Sequence, residues 1–96
     1  MRRADVLRTL AEHREELHRL GVKTLSVFGS VARDEASPDS DVDLLVEFEQ
    51  PVGYFHLFDV KKRLEAVLGT RVDMVTPGGL RAEIRDEILA EAVRAA

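Results

Sequence analysis

The sequence predicts an α/β fold of the mixed, α+β kind, and three observations predict it. Short runs rich in β-branched and apolar residues, at residues 22–28, 42–48 and 70–75, stop at glycine or at polar breaks, as strands do. Longer segments between and around them carry apolar residues every three or four positions, the spacing of a half-buried helix. A chain of 96 residues is long enough for one hydrophobic core. Residues 1–96 are therefore expected to form a single domain.

The first helix is expected over residues 3–20, with Val6, Leu7, Leu10, Ala11, Leu17 and Leu20 as its apolar stripe and Gly21 as its stop. His13 and His18 are five apart in this segment, which is not the spacing that puts two ligands on one helix face, so both read as surface positions. The strand at residues 22–28 runs directly into Gly29. Ser30 is expected to cap a short turn of helix through Arg33, leaving backbone N–H groups that can meet an anion. Residues 34–40 form a polar loop containing Pro38, long enough to cross to a neighbouring strand. In the strand over residues 42–48, Val42, Leu44, Val46 and Phe48 alternate with Asp43, Leu45 and Glu47, and Asp41 extends the second set. The apolar set faces the core, so Asp41 and Asp43 project together from the other face.

Residues 50–53 break the pattern. A helix over residues 54–68 follows, with Leu57, Val60, Leu64, Val67 and Leu68 buried and Gly69 as its stop. Lys61, Lys62 and Arg63 on this helix read as a solvated face. Tyr54 and Phe55 have two readings, stacking on a base or packing at the helix start, and His56 reads as a helix-surface residue. The third strand places Asp73 opposite the core-facing pair Val72 and Met74. After the turn Pro77-Gly78-Gly79, Leu80, Ile84, Ile88, Leu89 and Val93 predict a last helix over residues 80–93, ending in an alanine-rich tail.

Composition narrows the classes of function. With no cysteine, disulfides, thiolate metal sites and cysteine nucleophiles are excluded. A formal net charge of −4 argues against direct nucleic-acid binding, which rests on a concentrated basic surface. No apolar run reaches the length of a membrane span, and the start of the chain lacks the apolar core of a signal peptide, so a cytoplasmic protein is expected.

What remains is the pairing of Gly29-Ser30 with Ser40-Asp41-Val42-Asp43. Alone, the glycine and serine read as a strand end and a helix cap, and the two aspartates as carboxylates on an exposed strand face. Together, with Asp73 available from a third strand, they are the parts of a magnesium-dependent phosphoryl-transfer site. Magnesium takes oxygen ligands and is commonly held by one or two carboxylates plus substrate phosphates. Two such ions roughly 4 Å apart activate an attacking oxygen and stabilise a leaving one.

At these residues the chain resembles a known family. Gly29-Ser30-Val31-Ala32-Arg33, followed by Ser40-Asp41-Val42-Asp43-Leu44-Leu45-Val46, is similar to the signature of the DNA polymerase β nucleotidyltransferase superfamily. The short chain resembles its minimal nucleotidyltransferase (MNT) branch. The resemblance implies a polymerase β-like fold, a small mixed sheet of three or four strands with helices packed on one face. It also implies that Gly29 and Ser30 hold a nucleoside triphosphate with Arg33 as helper. By the same resemblance Asp41 and Asp43 bind two magnesium ions, and Asp73 binds the catalytic one and helps deprotonate the attacking hydroxyl. Members of the family usually have glycine after the arginine. Here Asp34 stands there, and its charge near the phosphate path is expected to handicap turnover.

Similar proteins act as antitoxins beside an all-helical HEPN toxin. The resemblance therefore implies transfer of AMP from ATP to a tyrosine hydroxyl of such a partner, in a type VII-like toxin–antitoxin pair, within a homo- or hetero-oligomer. The rival reading is a binding antitoxin that neutralises its partner by complex formation. Transfer to a small molecule ranks below both, and template-directed polymerisation last, because such enzymes carry further domains.

Overall fold

The computed structural model of the chain describes residues 1–37 and 39–96; Pro38, expected in the polar crossover loop, lies outside the described residues. In order, the elements are α1 (Arg3–Glu12), α2 (Arg14–Arg19), β1 (Val22–Phe28), α3 (Gly29–Ala32), β2 (Val42–Phe48) and α4 (Tyr54–Leu68). Then come β3 (Val72–Val75), a 3₁₀ turn (Pro77–Gly79), α5 (Ala82–Glu91) and β4 (Val93–Arg94). The four strands form one mixed sheet in the order β3-β2-β1-β4. Here β1 runs antiparallel to both β2 and β4, and β2 runs parallel to β3 with α4 as the crossover.

The core is built from the apolar halves of the two periodic patterns. Leu25 and Val27 of β1 and Val42, Leu44 and Val46 of β2 meet Val6 and Leu10 of α1, Leu17 of α2, and Val60, Leu64 and Leu68 of α4. Each Leu in this layer contributes about 1.5–3 kcal/mol by leaving water. Gly69 ends α4 in the left-handed conformation at φ 70°, where a side chain would be strained.

Two expectations about helices need correction. The single helix over residues 3–20 is two, because the His13 ring Nδ1 meets the Thr9 carbonyl at 2.9 Å. The His13 backbone N–H donates instead to Leu10 O, and the chain kinks there before Leu17 N resumes helical bonding to His13 O. His13 is thus half-buried at the kink, whereas His18 is exposed. The last helix ends at Glu91, two residues before its expected end. From Ala92 the chain is extended, and Val93 and Arg94 pair with Val27 and Ser26. The free edge of β1 offers unpaired backbone groups, and satisfying them outweighs one more turn of helix.

Candidate active site

Strand register brings the site together. Phe28, the last residue of β1, lies opposite Asp43 of β2, and Asp43 lies opposite Asp73 of β3. Because side chains alternate, the two aspartates stand side by side on the face away from the core. Gly29 then turns the chain at φ 73°, and a Cβ built there would overlap Asp43 Oδ2 and stand 3.0 Å from its Cγ. Glycine is therefore required twice over, by the backbone and by the carboxylate that fills the space beside it.

Asp43 is half-buried and its carboxyl is held above the usual carboxylate range. Burial is the main cause; the charges of Asp73 and Asp41, a hydrogen bond with Asp73 and the charge of Glu91 add to it. Asp73 is exposed at the neighbouring position, and the start of its strand is held by α4, where the Glu65 carboxylate accepts the Val72 N–H at 3.0 Å. Asp41 precedes β2 and pairs through Oδ1 with Arg71 Nε at 3.1 Å. The Val42 N–H donates to Arg71 O at 3.0 Å, stitching the two strand starts together.

Among the described residues, no three acidic or histidine side chains converge on one point. The donor chemistry nonetheless suits a hard divalent cation: three carboxylates stand at neighbouring strand positions, and the charges of Asp73 and Asp41 add to the burial that keeps the Asp43 carboxyl from ionising. The pairing of Asp41 with Arg71 answers part of that need from within the chain.

The other half of the site carries the opposite chemistry. The Gly29 N–H donates to Glu91 Oε1 at 2.9 Å, and Arg33 Nη1 donates to Glu91 Oε2 at 2.9 Å. Arg33 also donates through Nε to Glu35 at 3.1 Å. Ser30 is the second residue of α3 rather than its cap, a place taken by Phe28, and its hydroxyl makes no hydrogen bond among the described residues. Glu91 had no signal in the sequence, where it reads as one more solvated glutamate before the alanine-rich tail.

Asp34 is turned away from this cradle. Its Oδ1 accepts the backbone N–H of Arg3, the first residue of α1, at 3.0 Å. The N-cap residue of that helix, Arg2, supplies no side-chain cap of its own. Asp34 sits at φ 58°, a left-handed conformation that aspartate tolerates better than most residues. The expected charge on the phosphate path is thus committed to capping α1.

Tyr54 and Phe55 are not brought to the site. They open α4, at the far end of β2 from Asp43, and are 78% and 82% exposed. Between Asp43 and the end of that strand lie roughly 17 Å of extended chain. They meet each other edge to face at 6.1 Å. His56 instead ties α4 to α2, its ring nitrogen meeting Leu20 O while the ring packs against Phe48. Of the basic run, Arg63 pairs with Glu16 and Lys62 lies over the Phe58 ring, 5.2 Å from its centre.

Residues 7–95 match the model of the nucleotidyltransferase domain. The chain is 44% identical over 85 residues to the protein adenylyltransferase MntA of Thermococcus cleftensis, covering 88% of this chain and 86% of the relative. A solved minimal nucleotidyltransferase superposes with a TM-score of 0.82 at 42% identity, over 97% of this chain and 95% of the other. At 13% identity the fold alone is shared with a chain of the complex between tri-AMPylated Shewanella oneidensis HEPN toxin and MNT antitoxin. That match has a TM-score of 0.61 and covers 88% of this chain and 70% of the other.

Proposed function

The chain belongs to the nucleotidyltransferase domain family, among the minimal nucleotidyltransferases, and from that premise we propose that it transfers AMP from ATP to a tyrosine hydroxyl of a cognate HEPN toxin. In this reading residues 1–96 are one minimal catalytic domain acting in the cytoplasm as the antitoxin of a toxin–antitoxin pair. The observation that carries it is the register Phe28–Asp43–Asp73 with Gly29 folded against Asp43, which sets an anion cradle beside a carboxylate cluster. The MntA relative is named a protein adenylyltransferase, and the tri-AMPylated toxin of the related complex agrees with transfer to a protein.

Asp41, Asp43 and Asp73 would hold two magnesium ions, which supply positive charge at the reacting phosphate when bound. The chain's own contribution is placement. The Gly29 N–H and the Arg33 guanidinium orient the triphosphate, and Ser30 offers its hydroxyl beside them. Asp73, exposed at the rim, is the carboxylate that an incoming tyrosine hydroxyl can reach, and it accepts the proton as the oxygen attacks the α-phosphate and pyrophosphate leaves.

The test is purified protein with magnesium, labelled ATP and the HEPN protein encoded beside it. Label on a partner tyrosine is expected, and Asp41→Ala with Asp43→Ala is expected to abolish both labelling and neutralisation while the complex persists. An unlabelled partner with all four nucleotides would sink the transfer reading. Neutralisation that survives the double substitution would identify a binding antitoxin instead.

A further inference from the structure

The phosphate cradle already holds an anion from its own chain. Both oxygens of Glu91 are used there, one on the Gly29 N–H and one on Arg33, each at 2.9 Å. These are the two donors that the nucleotide reading needs for a triphosphate. A carboxylate presents two oxygens in one plane, much as one edge of a phosphate does, and satisfies the same donors.

We propose that Glu91 is a displaceable internal anion in the phosphate subsite, and that a nucleotide binds by exchanging its phosphate oxygens for this carboxylate. The proposal rests on the nucleotide reading of the site and adds a competitor within it. Three features make the exchange feasible. Arg33 keeps a second partner in Glu35 and remains oriented when Glu91 leaves. Glu91 is also the last residue of α5, whose one buried side chain is Ile88, so few apolar contacts resist its departure. The Glu91 side chain is 33% exposed and has an open route to water.

The alternative is that Glu91 stays in place and merely orients Arg33 for the nucleotide. The two differ in sign. Calorimetric titration of the full chain with ATP and magnesium, and separately with tripolyphosphate, is made on the native protein, Glu91→Gln and Glu91→Ala. Displacement predicts binding about three- to tenfold tighter in both variants, because an exposed ion pair no longer competes. It also predicts that the Gly29 amide resonance of the native protein moves on adding tripolyphosphate. Unchanged or weaker binding in Glu91→Gln overturns the proposal, as does the absence of binding by every form. Glu91→Gln keeps the side-chain shape and a neutral acceptor for Gly29, so it carries the test even where Glu91→Ala fails to fold. Tighter tripolyphosphate binding without any transfer to a partner upholds the displacement and removes the transferase reading. Transfer without tighter binding does the reverse.

Discussion

Helices α4 and α5 have similar apolar patterns in the sequence and opposite standing in the fold. Along α4, Val60, Leu64 and Leu68 are buried in the main core, and its Glu65 pins the start of β3. Along α5, Ile88 alone is buried, whereas Ile84 and Leu89 are 45% and 53% exposed. The Nε of Arg85, on α5 itself, is shut away from solvent with no hydrogen-bond partner among the described residues. What holds α5 is polar and terminal: Glu91 on the cradle, and β4 paired to β1 just beyond it. The first helix builds the platform for the aspartates. The second is tethered to Gly29 and Arg33 by Glu91, the contact that a nucleotide would replace in the exchange we propose.

The widest separation between the two helices is expected in stability. Leu64→Ala removes a fully buried side chain from α4 and should cost about 2–5 kcal/mol, lowering Tm by about 10 °C or more. Leu89→Ala on α5 should stay within about 0.5 kcal/mol. Thermal melts of the pair break the comparison if the two drops are similar.

Gly29→Ala strikes the seam between the platform and α5. Strain at a positive φ costs about 1–2 kcal/mol for a residue with a Cβ, and the added carbon also displaces Asp43. Loss of detectable AMP transfer with a modest fall in Tm is the expected result, measured by labelling and melting the same sample.

Asp43→Asn sharpens the electrostatic side. Because the folded protein raises the Asp43 carboxyl above its unfolded value, this group's stabilising contribution is full below the ordinary aspartate range. It is lost as pH rises through the raised value. In metal-free buffer the native protein should lose stability over that interval, and Asp43→Asn should flatten the loss and melt a few degrees higher near neutrality. Melts as a function of pH in the presence of a chelator decide it.

The smallest effect is expected at Asp34→Gly, on the α1 side and away from α5. Glycine relieves the positive φ but forfeits the cap on Arg3, and these terms nearly cancel, each being about 1 kcal/mol. Transfer should be unchanged within about twofold, since that carboxylate caps α1. A large gain in turnover would show that its charge does reach the phosphate.

Much of the platform was legible without coordinates. Period-two alternation at Val42, Leu44 and Val46 set Asp43 on the outer face, and of the stripe that helical spacing gave α4, Val60, Leu64 and Leu68 are buried while Leu57 and Val67 are only partly so. At α5 the same spacing marked the helix and no more, because periodicity shows that a helix has an apolar stripe, not that anything lies over it. The kink at His13 turned on one ring nitrogen taking a carbonyl, which no pattern of hydrophobicity records.

The sequence by itself determined three of the strands, the main helical segments, the face of Asp43 and Asp73, and the family to which Gly29-Ser30 and Asp41-Val42-Asp43 belong, since these depend on near neighbours and short periods. Only the tertiary structure decided what each charge meets. Asp34 caps α1, 31 residues away, and Arg71 pairs with Asp41 across two strand starts. Glu91 closes on Gly29 over a separation of 62 residues. Such pairings follow from the path of the chain around the sheet, and a carboxylate has no periodic signature that announces its partner.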